Sequence, residues 1–162
     1  MNRFYGTENF IQNVIEEYSD MLLRVSYTYL KNLSDAEDIT QEVFVKLLEK
    51  QQTFESSEHE KAWLIRVAIN LSKDKLKSSW FKKTTVLNQD FIGITKEDNE
   101  IIETVLTLPL KYRSIILLFY YEDYSISQIS KIVNLKESTV GSQLSRARKL
   151  LKTKLKEDFE HE

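Results

Sequence analysis

Apolar residues recur every three or four positions along most of this chain, which is the spacing of one face of an α-helix. The pattern predicts a first helix from about Asn9 to Leu30, with an apolar stripe of Ile11, Val14, Ile15, Tyr18, Leu22, Val25 and Tyr29. It predicts a second helix over residues 35–50 that buries Ala36, Ile39, Val43, Leu47 and, at the edge of the stripe, Leu48. Ser34, with Glu37 three positions later, has the pattern of a capping box at the start of this second helix.

The pattern breaks at residues 54–60 (FESSEHE), which predict a short polar loop. A third helix is predicted from about Lys61 to Ser78, with Trp63, Leu64, Val67, Leu71 and Leu76 on or near its core side. Weak periodicity then predicts a linker, and Ile101, Ile102, Val105 and Leu106 predict a short helix that ends at Pro109. Residues 112–121 predict a very apolar helix. We therefore expect a first domain at residues 1–80, a flexible linker at 81–98 and a second domain at 99–162.

Residues 124–151 predict two helices joined by a tight corner. The apolar residues of the first are Ile126, Ile129, Ile132 and Val133, and those of the second are Val140, Leu144, Ala147 and Leu151. The break at 133–135 has the length of a helix-turn-helix corner. The second helix exposes short hydroxyls that can enter a DNA groove and cations that can meet phosphates or a guanine edge: Ser138, Thr139, Ser142, Ser145, Arg146 and Lys149. The alternative is an αα-hairpin with a solvated basic face.

Composition fits an all-α protein, because only 3 glycines and 1 proline are present among 162 residues to interrupt helices. Without cysteine, the chain has no disulfide framework and no thiolate metal site. The longest strongly apolar run, residues 115–121, is too short to span a bilayer, and the N-terminus lacks the pattern of a signal peptide. We expect the protein in the cytoplasm.

The net charge of −2 conceals four blocks of alternating sign. Residues 1–60 hold 5 Lys/Arg against 12 Asp/Glu, whereas residues 61–90 hold 7 against 2. Residues 91–126 hold 3 against 6, and residues 127–162 hold 8 against 5. The two basic blocks suggest polyanion binding at two places, and the acidic blocks suggest a basic or polar partner elsewhere.

Two helix faces in the first domain carry candidate binding residues. The second helix exposes Asp35, Asp38, Gln41, Glu42 and Lys46. Carboxylates in a first helical turn complement the helix dipole, but that does not account for Gln41 and Glu42. On the third helix Arg66, Asn70, Lys73 and Lys77 are spaced to share one stripe beside Trp63. Such a stripe suits a nucleic-acid strand with bases free to stack; the alternative is a solvated surface with a core tryptophan.

The residues of an enzyme are missing from this pattern. The two histidines are His59, in the polar loop, and His161, next to the C-terminal residue. They make no cluster for a metal or a catalytic triad, and the chain has no Gly-rich phosphate loop. We therefore expect a non-enzyme without cofactor, metal or small-molecule substrate.

Three ordered stretches of this chain resemble a known family. DAEDITQEVFVKLLEK (35–50), the F…AWLIRVAINLSKDKLK pattern (54–77) and LPLKYRSIILLFYYEDYSISQISKIVNLKESTVGSQLSRARKLLK (108–152) are similar to bacterial RNA polymerase sigma factors. They most resemble the extracytoplasmic-function (ECF) group of the sigma-70 family, which has only domains 2 and 4 of larger sigma factors. The resemblance covers about residues 9 to 155. It implies core RNA polymerase and promoter DNA as partners, and an anti-sigma factor as a further one.

The resemblance also implies roles for individual residues. The second helix would dock on the clamp helices of the largest polymerase subunit through Asp35, Asp38, Gln41, Glu42, Phe44 and Lys46. The loop and third helix would open the downstream promoter element and hold its strand through His59, Lys61, Trp63, Arg66, Asn70, Lys73 and Lys77. The last helix would read the upstream element through Lys136, Ser138, Thr139, Ser142, Gln143, Ser145, Arg146 and Lys149. A basic residue is usual in the family at Gly141 and at Gln143, so fewer phosphate contacts and an altered sequence preference should follow.

Two other functions remain to be separated from this one. A free-standing helix-turn-helix regulator would bind duplex DNA unaided, and an interaction module would use the basic surface only for protein partners. The first domain discriminates between them, since a simple repressor needs neither the acidic helix nor the strand-binding stripe.

Overall fold

The computed structural model describes residues 8–51, 53–78 and 102–160, with side chains at 9–51, 53–78 and 102–156. The chain divides into two compact units, residues 1–89 and 90–162. Within the described residues every regular element is helical, which confirms the all-α class. None of the described helices is long and apolar enough to cross a membrane. The predicted linker at 81–98 lies outside the described residues.

The first unit is a three-helix bundle of α1 (Glu8–Leu30), α2 (Leu33–Lys50) and α3 (Ser57–Ser78), each in contact with the other two. Its core is formed by one stripe from each helix, as the apolar spacing predicts. In α1, Val14, Tyr18, Leu22, Val25 and Tyr29 are buried, as predicted. Ile15 was predicted in the same stripe and is 40% exposed, because it lies at the edge of the face that meets α2 and α3.

The start of α2 differs from the prediction. Asn32, not Ser34, caps the helix: its backbone is extended, and its side-chain oxygen accepts a hydrogen bond from the Asp35 N–H at 3.0 Å. The Ala36 N–H also donates to the Asn32 carbonyl, so the helix begins two residues earlier than predicted. Asparagine is at least as good an N-cap as serine, which explains the choice. The buried face of α2 is as predicted except for Leu48, which is 37% exposed.

The start of α3 also lies earlier than predicted. The Ser56 hydroxyl accepts a hydrogen bond from the His59 N–H at 3.1 Å, and the Ser56 carbonyl accepts one from the Glu60 N–H. The predicted loop is therefore cut to residues 53–56, and Ser57–Glu60 form the first helical turn with Glu60 buried. The core side of α3 consists of Leu64, Ile65, Ala68, Ile69 and Ser72. Of the predicted core residues, Leu64 is buried and Trp63, Val67, Leu71 and Leu76 are half-buried.

The second unit contains α4 (residues 102–106), α5 (Leu110–Ile116), α6 (Ile126–Val133) and α7 (Glu137–Glu160). A π-helical turn, Leu117–Tyr121, continues α5 where an ordinary helix was predicted. Its wider geometry shows in the hydrogen bond from the Glu122 N–H to the Leu117 carbonyl, five residues back, at 3.3 Å. Leu117 and Leu118 are buried, whereas Tyr120 is 51% exposed. The π-helical turn thus adds apolar core on one side and presents an aromatic ring on the other.

Helix α6 is only eight residues long and is capped at both ends. Ser125 and Gln128 form a capping box, with the Gln128 N–H donating to the Ser125 hydroxyl and the Ser125 N–H donating to the Gln128 side chain. Asn134 ends the helix in the left-handed conformation, with φ 57°. The Ser130 hydroxyl then donates to the Leu135 carbonyl at 2.6 Å, which fixes the corner before α7.

The assignment of the α2 cap can be tested by a pair of substitutions. Asn32→Ala should lower the free energy of unfolding by about 0.5–2 kcal/mol, because it removes the acceptor of the Asp35 N–H. Ser34→Ala should change it by less than about 0.5 kcal/mol, since Ser34 is exposed inside the first turn. Urea unfolding followed by circular dichroism measures both. A larger loss for Ser34→Ala than for Asn32→Ala would contradict the cap.

Candidate nucleic-acid and partner interfaces

Three of the predicted docking residues on α2 are exposed: Asp38, Gln41 and Glu42. Asp35 and Lys46 are half-buried along the same side, as expected from their helical spacing. We call the side formed by Asp35, Asp38, Glu42 and Lys46, with Gln41 at its edge, the acidic face. Phe44 lies about 180° around the helix from Asp35 and is 8% exposed. It packs in the bundle and is not part of the exposed surface.

One apolar residue of the acidic face was not singled out by the sequence. Val45 is 49% exposed and lies between Asp38 and Gln41 around the helix, with Glu49 about one turn further along. A helical wheel would have found it, since an apolar residue there interrupts an otherwise polar face. An exposed apolar group inside a charged surface is the composition of a protein interface more than of a DNA interface.

A second missed residue, Lys75, connects α3 to this face. Its Nζ lies 3.2 Å from Asp35 Oδ1 and 3.7 Å from Asp38 Oδ2. Of the two carboxylates, Asp35 is the more covered, with a side chain 39% exposed against 65% for Asp38. Lys75 thus holds the first turn of α2 and leaves Asp38 open to solvent on its outer side. No pattern within a single helix predicts this pair, because it depends on how α2 and α3 cross.

The predicted strand contacts on α3 divide into two groups. Arg66, Asn70, Lys73 and Lys77 are exposed and share one line along the helix, which we call the strand stripe. His59 lies on the same line, about two helical turns before Arg66. Lys61 is half-buried and points roughly 140° away from Arg66, so the structure does not bring it together with the others.

Trp63 belongs to a small aromatic cluster at the start of the stripe. The ring of Phe54, which is buried, lies 5.7 Å from the Trp63 ring and 5.4 Å from the His59 ring. The His59 Nδ1 also accepts a hydrogen bond from the Glu55 N–H, at 3.5 Å. Trp63 is half-buried, so it serves the core and still leaves part of its ring at the surface. The contacts with Phe54 agree with the core alternative, and stacking of a base on this tryptophan stays a prediction.

The helix-turn-helix has most of the predicted core, although Ile126, Val133 and Leu151 are only half-buried, and most of the predicted exposed side. Ile129, Ile132, Val140, Leu144 and Ala147 are buried between α6 and α7 and against the preceding helix. Ser138, Ser142, Ser145 and Lys149 are exposed along one line of α7, which we call the groove face. Arg146 and Lys136 are also exposed, whereas Thr139 and Gln143 are half-buried at the edge.

Gly141 lies on α7 beside α6. A Cβ at this position would meet the Ile126 side chain at 3.9 Å, an ordinary contact. A longer side chain would fit there, with its Cβ in contact with Ile126 of α6. No group of three or more His, Cys, Asp or Glu side chains that could hold a metal occurs among the described residues.

This arrangement defines a helix-turn-helix DNA-binding protein that also carries an acidic helix face. Comparison with known proteins agrees: residues 14–82 match sigma-70 region 2, and residues 98–151 match sigma-70 region 4. The chain belongs to the sigma-70 family of RNA polymerase sigma factors, in its extracytoplasmic-function group.

Characterised relatives match nearly the whole chain. RNA polymerase sigma factor SigV of Bacillus subtilis (strain 168) is 30% identical over 167 residues, covering 98% of this chain and 99% of SigV. ECF RNA polymerase sigma factor SigW of the same organism is 27% identical, covering 94% of this chain and 92% of SigW. The solved structure of sigma factor RpoE with the anti-sigma factor NepR from Bartonella quintana has a TM-score of 0.72 at 21% identity, covering 93% of this chain and 98% of RpoE. That similarity concerns the fold.

The Lys75 pair should contribute little to stability. Lys75→Ala should lower the free energy of unfolding by no more than about 1 kcal/mol, since the ion pairs are partly solvated. The loss should shrink when the salt concentration rises from about 0.05 M to 0.5 M. Urea unfolding at both concentrations measures it, with Lys77→Ala, an exposed lysine on the other side of α3, as the control. A loss above about 2 kcal/mol that is independent of salt would contradict a surface ion pair.

Proposed function

We propose that this chain directs core RNA polymerase to its promoters by three separate surfaces. The acidic face of α2 docks on the polymerase, the strand stripe of α3 holds the opened downstream element, and the groove face of α7 reads the upstream element. The chemistry of RNA synthesis belongs to the polymerase, and this chain supplies recognition and strand capture. Transcription on chromosomal DNA places this activity in the bacterial cytoplasm.

The observation that carries the proposal is the acidic face itself. DNA binding cannot explain it, because exposed carboxylates repel phosphates. Asp38 and Gln41 lie on either side of the exposed Val45 around the helix, and Glu42 lies on the Asp38 side. A basic or polar protein surface is the partner that fits these groups. Phe44, which is buried, supports this face from inside the bundle.

The strand stripe supports the second part of the proposal. Arg66, Lys73 and Lys77 can follow a phosphate backbone, and Asn70 can donate to and accept from a base edge. The exposed part of the Trp63 ring lies beside this stripe, where a base unstacked from the duplex can pack on it. A base leaves the stack at a cost of a few kcal/mol, so this surface works only on a strand that is already opening.

The groove face supports the third part. Its serines are short enough to let the helix backbone approach the bases, and Arg146 is long enough to reach a guanine edge beside them. The half-buried Thr139 and Gln143 lie beyond Arg146, about 90° and 130° around the helix from the groove face. Lys136, at the corner before α7, is exposed where the helix-turn-helix meets the DNA backbone.

We further propose that an anti-sigma factor restrains this chain. The fold relatives RpoE and CnrH were solved with NepR and with the cytosolic domain of CnrY, respectively. A partner that covers the acidic face competes with the polymerase for it, and the envelope or stress signal that removes the partner would then release the chain.

Charge reversal tests the docking surface. Asp38→Lys together with Glu42→Lys should abolish binding to purified core polymerase and run-off transcription, while the helix content stays unchanged, because both side chains are exposed. Binding is measured by co-purification with core, and transcription by run-off product from a promoter template.

Glu16→Lys with Asp20→Lys is the matched control. It makes the same change in charge at two exposed positions of α1, and binding should persist. If the α2 double variant co-purifies with core at the wild-type level, the docking assignment is wrong. If the wild-type protein supports no run-off transcription with any core polymerase offered, the proposed function itself fails.

A further inference from the structure

Arg148 of α7 is held on the surface by two aromatic side chains of the π-helical turn. Its Nε donates a hydrogen bond to the Tyr120 hydroxyl at 2.6 Å. Its guanidinium carbon lies 5.1 Å from the centre of the Phe119 ring and 5.6 Å from that of the Tyr120 ring. Three contacts therefore restrain a side chain that is otherwise exposed.

This arrangement leaves hydrogen-bond donors unused. A guanidinium has five N–H groups, and the contact with Tyr120 uses the one on Nε. The Tyr120 hydroxyl accepts that bond and keeps its own O–H to donate. In the described part of the chain, no carboxylate pairs with Arg148. The result is a restrained positive charge with several donors that face outward, which suits an oxyanion such as phosphate.

The π-helical turn explains why Tyr120 is available for this role. Leu117 and Leu118 are buried in the core, and the wide turn leaves Tyr120 51% exposed next to α7. Burial does not account for a large aromatic residue at that exposure. π-Helical turns occur frequently at functional sites, where the extra residue re-aims a side chain.

The position of Arg148 on α7 relates it to DNA. Successive helical residues are about 100° apart, so Arg148 lies roughly 90° to one side of the groove face, and Arg146 lies roughly 70° to the other. A helix in the major groove, which is about 12 Å wide, has a phosphate backbone on each side. Gly141, seven positions before Arg148 on the same side, contributes no charge.

We propose that Tyr120 and Arg148 form a DNA phosphate-binding site on the side of α7 opposite Arg146. The site positions the helix in the groove through one backbone strand and carries no sequence information itself. This inference rests on the proposed function, because it requires that the groove face enter the upstream promoter element.

The test measures the affinity of core polymerase loaded with each variant for fluorescent promoter duplexes at several salt concentrations. Arg148→Ala should weaken binding about fivefold, equally for the promoter and for a duplex with an altered upstream element. The slope of log affinity against log salt should fall by about 0.9, the value of one phosphate contact. Lys154→Ala, which removes a half-buried cation on the opposite side of α7 from the groove face, is the control and should change neither quantity.

Tyr120→Phe separates positioning from charge. It keeps the ring and the Arg148 charge but removes the acceptor of the Nε–H, so affinity should fall about twofold while the salt slope stays at the wild-type value. Arg148→Lys should likewise keep the salt slope and lose affinity, because an ammonium cannot bond Tyr120 and a phosphate in the same fixed geometry.

Several outcomes would overturn the proposal. An unchanged salt slope for Arg148→Ala, with a lower midpoint of thermal unfolding, would mean that Arg148 only fastens α7 to the π-helical turn. A loss confined to one upstream sequence would mean a base contact. These outcomes leave the docking surface and run-off transcription untouched, so they are distinct from a failure of the proposed function.

Discussion

In the first unit, the carboxylates of the acidic face and the cations of the strand stripe lie on different helices. The proposed function of this unit depends on that separation. The acidic face lies on α2, and the strand stripe runs along the side of α3 that faces away from Lys75. A helix with its side chains is about 10–12 Å across, which exceeds the Debye length of about 8 Å at physiological salt. Carboxylates on α2 therefore do little to repel a strand that lies along α3.

Lys75 belongs to α3, but its positive charge lies at the acidic face of α2. It lies about 180° around α3 from the strand stripe and binds both Asp35 and Asp38. Its positive charge therefore offsets carboxylates of the acidic face and does not add to the charge of the strand stripe. The same residue orients the first turn of α2, where a protein partner would approach. One lysine thus links the position of α2 to that of α3.

In the second unit, local interactions shape the DNA-binding corner. An isolated helix of eight residues is not stable in water, so α6 depends on its capping box, on Asn134 at its end and on Ile129 and Ile132 in the core. Val140, Leu144 and Ala147 fix α7 against it and leave the serines of the groove face outward. The Tyr120–Arg148 contact adds a second support for α7 from outside the corner.

Helical spacing was sufficient to predict the class of fold, most of the core and the exposed side of α7, because each depends on a pattern within one helix. It failed where two capping residues competed, at Asn32 against Ser34, and where the backbone departed from the α-helix, at the π-helical turn. Contacts between helices, such as Lys75 with Asp35, need a crossing geometry that no single-helix pattern contains. Phe44 was grouped with the docking residues by resemblance, and its burial assigns it to the core.

The central claim is that this chain recognises promoters as part of the polymerase and not alone. Two weak DNA-binding surfaces gain affinity together only when a scaffold sets a separation that the DNA can match. The strand stripe also needs an opened strand, and unpairing bases costs a few kcal/mol. Titration of a labelled promoter duplex with the protein alone, and then with added core polymerase, tests this directly. The account predicts binding no tighter than about 10⁻⁶ M for the protein alone, the range of non-specific contacts. With core, it predicts specific binding at about 10⁻⁸ M or tighter. Specific nanomolar binding by the free protein, unchanged by core polymerase, would contradict it.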